Sequence, residues 1–130
     1  MMQLPTRSTP RILIMEDDPD ALALYHFVLR QQGYEIFQAR SIRQARALLQ
    51  RHAFDLFLSD ILMPDGRGTH LIRDSLPRLR DHGTRIMLAT AAAQYRIICD
   101  ELDADIFLMK PFDPFLLVEL VERLLRPLPC

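Results

Sequence analysis

Five short apolar runs, Arg11–Met15, Tyr34–Ala39, Asp55–Ser59, Arg85–Thr90 and Asp105–Met109, are separated by segments of helix length. This spacing constrains the fold more than any other feature. Antiparallel neighbours can be joined by two residues, whereas parallel strands need a crossover of about a dozen or more, usually a helix. Four of the runs ("ILIM", "LFL", "IMLA", "IFLM") are continuously apolar, as in parallel strands covered on both faces. The second, "YEIFQA", admits Glu35 and Gln38 and suits a sheet edge. The pattern predicts an α/β chain, a doubly wound sandwich of five βα units.

Helix punctuation agrees with that reading. Asp18 can cap a helix with Pro19 at its first position, and Gly33 ends it. Ser41 followed by Gln44 forms a capping box, and Asp113-Pro114 repeats the cap-plus-proline start for the last helix. Pro77 should break or kink the third helix, and the fourth, over about 92–102, is short. With 130 residues the chain is one domain's worth, over 11–126, preceded by a mobile arm at 1–10 and followed by a short tail at 127–130.

Composition narrows the function classes. Sixteen basic residues face seventeen acidic ones, and the net charge of −1 implies no direct attraction to nucleic acid or an anionic membrane. No apolar run approaches the ~20 residues of a membrane span. Cys99 and Cys130 form neither a disulfide framework nor a metal-ligand spacing, which fits a reducing, cytoplasmic setting. The histidines His26, His52, His70 and His82 lack ligand spacing and are expected at the surface.

The chemistry is concentrated at the strand ends. In such folds ligands bind beyond the carboxyl ends of the strands. Those ends carry Glu16-Asp17-Asp18, Ser59-Asp60, Thr90-Ala91 and Lys110-Pro111. One acid after a strand is ordinarily a helix cap, but functional groups at four separate strand ends indicate a site. Three nearby carboxylates repel one another, raising the pKa of at least one until a cation arrives. Asp18 is read as the cap of the first helix, and Asp20 as complementing the dipole of its first turn.

The motifs "ILIMEDDP", "FDLFLSDILMPDGRG", "IMLATA" and "FLMKPF" together resemble the receiver domain of bacterial two-component response regulators (CheY-like), across residues 11–126. The resemblance implies a flavodoxin-like, five-stranded parallel sheet in the order 2-1-3-4-5. It implies that Asp60 is the phosphoacceptor and that Glu16 (largely through water), Asp17, Asp60 and the Leu62 main-chain carbonyl hold Mg²⁺. It further implies that Lys110 pairs with the phosphoryl group, that Thr90 hydrogen-bonds it, and that Lys110-Pro111 is cis. Thr90 and Phe107 would form the switch that carries the signal to the face of helix 4, strand 5 and helix 5. The phosphodonor would be a histidine kinase or a histidine phosphotransfer protein, with an unidentified protein downstream.

Several features depart from the family pattern. Lys110 follows Thr90 by 20 residues, two fewer than usual, and the glycine expected before the fifth strand is replaced around Asp103-Ala104. Leu62 and Ala92 offer no polar group to orient a water, so self-dephosphorylation should be slow and the chain is not read as an enzyme. The last helix is apolar over more of its circumference than one sheet face requires, which suggests a partner surface or a homodimer through helices 4 and 5. Two rival readings are a receiver-like interaction domain working without phosphorylation and a Mg²⁺-dependent aspartyl-phosphate phosphohydrolase. The complete acid, threonine and lysine set argues against the first. Against the second stands Leu62, where such hydrolases commonly carry a second acid.

Overall fold

A computed structural model describes residues 9–126. The expected tail, and all of the expected arm except Thr9 and Pro10, lie outside the described residues. Five parallel strands form one sheet: β1 (Arg11–Met15), β2 (Glu35–Ala39), β3 (Leu56–Asp60), β4 (Arg85–Thr90) and β5 (Ile106–Met109). Their spatial order is β2-β1-β3-β4-β5, as expected. In register, Leu13 lies beside Phe37 and Phe57, Phe57 beside Ile86, and Leu88 beside Phe107. The expected runs hold to within a residue at each end; Tyr34 precedes β2 and Asp60 closes β3.

The five helices are α1 (Pro19–Arg30), α2 (Ile42–Arg51), α3 (Gly68–His82), α4 (Arg96–Glu101) and α5 (Pro114–Leu125). Strand alternation divides the core into two layers. Leu13, Met15, Phe57 and Leu88 pack with Ala45, Leu49, Leu71, Ile72 and Cys99 of α2, α3 and α4. Ile12, Ile14, Leu58 and Met87 pack with Leu22, Leu29, Leu117 and Val121 of α1 and α5. A strand pointing successive side chains to opposite faces must be apolar at every position when both faces are covered. That is why β1 and β3 read as unbroken apolar runs.

The cap residues serve as expected, except that the Gln44 side chain accepts from the Arg40 amide at 2.7 Å rather than from that of Ser41. Asp18 accepts from the Asp20 amide at 3.1 Å, Ser41 from the Gln44 amide at 3.1 Å, and Asp113 from the Phe115 amide at 2.8 Å. The expected break at Pro77 is a correction, because α3 continues from Gly68 to His82 through it. Proline removes a single helical hydrogen bond, Pro77 is exposed, and the buried Leu71, Ile72 and Leu79 anchor both halves of the helix. Residues 62–67, between β3 and α3, form a small antiparallel hairpin pairing Leu62 with Arg67 and Met63 with Gly66. The fourth helical segment is short, a 3-10 turn over Ala93–Tyr95 leading into α4.

Candidate functional site

β1 and β3 are neighbours at the centre of the sheet, so their carboxyl ends bring Glu16, Asp17 and Asp60 to one rim. One oxygen from each carboxylate lies within 4.8 Å of the others. Glu16 and Asp60 are buried and Asp17 half-buried. Three hard, anionic oxygens this close fit a divalent cation such as Mg²⁺. Leu62, whose carbonyl is the fourth expected ligand, sits in the first strand of the hairpin following Asp60.

Lys110 follows β5 and reaches across to these acids. Its ammonium donates to Asp60 Oδ2 at 2.9 Å and makes a close ion pair with Glu16 Oε1. Burial works against the Lys110 ammonium, but the hydrogen bonds it donates to Glu16 and Asp60 outweigh it and hold the lysine above its ordinary pKa. At Glu16 the balance tips the other way. Desolvation, helped by the charge of Asp60, raises its pKa despite hydrogen bonds from Lys110 and the Asp18 amide. The Glu16 side chain is 2% exposed and that of Lys110 23%. The Lys110–Pro111 peptide is cis.

Thr90 ends β4 fully buried, and its hydroxyl accepts from the Ala92 amide at 3.2 Å. Main-chain pairing ties it to the lysine, since the Lys110 amide donates to the Thr90 carbonyl at 2.9 Å. Phe107, on β5, is half-buried against the layer of α2, α3 and α4, with the Arg96 guanidinium 5.6 Å from its ring centroid. Asp60, Glu16, Asp17 and Lys110 are therefore assembled at one point, with Thr90 on the adjoining strand and Phe107 further down β5. Beside Lys110 an apolar groove opens between α1 and the segment after β5, lined by Ala21, Leu24, Tyr25, Phe112 and Pro114. The Tyr25 and Phe112 rings stack there at 5.1 Å.

Three features were not foreseen from sequence. The Glu16–Lys110 ion pair is one, and Asp65 bonded to the amides of α2 is another. The third is a correction: His26 and His52 are half-buried, and His52 packs its ring on Phe37 and Phe54. The signal for His52 lay in the neighbouring "HAF", an apolar approach to β3.

This fold and rim define a class of signalling domain, and residues 12–122 match the response regulator receiver domain family. The chain belongs to that family. Among curated relatives it is 34% identical over 119 residues to the response regulator protein PilR of Pseudomonas aeruginosa, covering 92% of this chain and 27% of PilR. It is likewise 34% identical over 119 residues to the transcriptional regulatory protein CpxR of Escherichia coli K12, covering 89% of this chain and 49% of CpxR. The chain thus spans about half or less of the length of these relatives. Among solved structures, the response regulator TrrA of Thermotoga maritima, in complex with Mg²⁺-BeF, superposes with a TM-score of 0.79 at 31% identity. That match covers 90% of this chain and all of TrrA. No helix among the described residues is long and apolar enough to cross a membrane.

Proposed function

We propose that this receiver domain is a Mg²⁺-dependent phosphoacceptor, phosphorylated on Asp60 by a histidine kinase or histidine phosphotransfer protein in the cytoplasm. The observation that carries this reading is the buried Asp60 carboxylate, set beside two further acids and hydrogen-bonded at 2.9 Å to Lys110. A carboxylate oxygen of Asp60 forms the new bond to phosphorus as the bond from phosphorus to the donor's nitrogen breaks. Such a transfer demands positioning and charge neutralisation more than covalent help from the protein. Glu16, Asp17, Asp60 and the Leu62 carbonyl would hold the cation. When bound, Mg²⁺ supplies the positive charge that offsets the phosphoryl oxygens.

Lys110 supplies the second positive charge, and its long stem lets it turn from Glu16 to a phosphoryl oxygen. The buried Thr90 hydroxyl offers that group a hydrogen bond in exchange for the one it accepts from Ala92. Phe107, on the strand that ends at Lys110, then adjusts with it and alters the surface of α4, β5 and α5. Neither Leu62 nor Ala92 can orient a hydrolytic water, so the phosphorylated form persists and the domain does not turn over substrate.

The test is Mg²⁺-dependent labelling by acetyl phosphate, comparing wild type with Asp60→Asn. One phosphoryl group per wild-type chain and none on the variant is expected. Wild-type levels of label on Asp60→Asn would overturn the assignment.

A further inference from the structure

We propose that Asp65 is a positioning residue that holds the Leu62 carbonyl in place for the cation by tying the tip of the 62–67 hairpin to the start of α2. The proposal rests on the metal reading above and adds to it a residue outside the acidic cluster.

Each strand of this hairpin is two residues long, with Pro64 and Asp65 at the turn. An isolated hairpin is marginal in water even at greater length, so the position of Leu62 must be imposed from outside. At the base, the imposition comes from Gly68. Its amide donates to the Ile61 carbonyl at 2.8 Å, and it lies so close to β3 that an added Cβ would meet the Asp60 carbonyl oxygen at 2.1 Å. At the tip it comes from Asp65. Its two carboxylate oxygens accept from the Ile42 amide at 2.9 Å and the Arg43 amide at 3.1 Å. Gly66 beside it, at φ 148°, leaves room for the Ile42 side chain, which an added Cβ would approach to 3.2 Å. Leu62 lies between these two anchors.

The first free amides of a helix favour a negative group, through hydrogen bonding and through the helix dipole. Asp65 binds those of Ile42 and Arg43, while Ser41 caps the Gln44 amide of the same helix. These two caps separate the alternatives. Each stabilises α2, but only Asp65 belongs to the loop that carries Leu62. If Asp65 were a cap and nothing more, removing either one would have the same consequence for the metal.

The experiment measures the Mg²⁺ dissociation constant of the full chain by amide chemical-shift titration for wild type, Asp65→Ala, Asp65→Asn and Ser41→Ala. Thermal midpoints are recorded alongside. Residues that orient metal ligands typically contribute tenfold or more in affinity. Asp65→Ala is accordingly expected to weaken binding about tenfold, and Asp65→Asn, which keeps one acceptor oxygen, to recover part of the loss. Ser41→Ala should lower the thermal midpoint yet bind Mg²⁺ as wild type does. Unchanged affinity in Asp65→Ala, or an equal loss in Ser41→Ala, would overturn the proposal. Failure of the wild type to bind Mg²⁺ in the same titration would overturn the metal reading beneath it.

Discussion

At the residue scale the arrangement turns on Lys110, which neutralises two buried acids at once. Removing one partner of a buried ion pair leaves the other charge uncompensated. Here Glu16 can relieve part of that by taking up a proton, which its raised pKa already favours. Lys110→Met should therefore destabilise the metal-free protein by about 1–3 kcal/mol, the usual cost of an orphaned buried polar group. In urea denaturation, Mg²⁺ should narrow the gap between variant and wild type, because a cation replaces the lost charge. A gap unchanged by Mg²⁺ would contradict this account. The residue types at the rim were legible in the sequence because each follows a strand. The pairing of Glu16 with Lys110, 94 residues apart, leaves no mark on local sequence. Only closing the sheet brings them together.

At the element scale, strands and caps were legible because their signals are local: an apolar run, or a cap residue followed by proline. The hairpin at 62–67 was not. Its turn residues, "PDG", favour a bend but do not announce what the bend touches, and the amides that receive Asp65 lie on a different βα unit. Asp103 resolves one departure from the family pattern. It takes the left-handed conformation itself, at φ 57°, where the family's glycine was missed. Aspartate is among the few residues other than glycine that visit this region routinely.

Helix α5 shows how far its apolar excess is absorbed. Leu117 and Val121 are buried, Val118, Leu120, Leu124 and Leu125 half-buried, and Leu116 exposed, while Phe115 is left 77% exposed. If this face pairs with a second copy on activation, beryllofluoride with Mg²⁺ should shift the protein to a dimer on size-exclusion chromatography. Phe115→Ser should abolish that shift. A monomer under both conditions would exclude the homodimer.

At the scale of the whole molecule, the order of the strands does what no single motif could. Placing β1 beside β3 assembles the acids, and placing β4 and β5 next in line delivers Thr90 and Lys110 to the same rim. The fold class was readable because both faces of a parallel sheet must be covered, which forces continuous apolar strands and intervening helices. The curated relatives named above are about twice the length of this chain or more.

The most direct measurement is chemical trapping of the modified side chain. After incubation with acetyl phosphate, borohydride reduces an aspartyl phosphate to homoserine, and peptide mass mapping locates it. Homoserine is expected at position 60 alone, formed with Mg²⁺ and lost when the metal is chelated before the phosphodonor is added. Homoserine at another aspartate, or at position 60 to the same extent without metal, would contradict the Asp60 assignment.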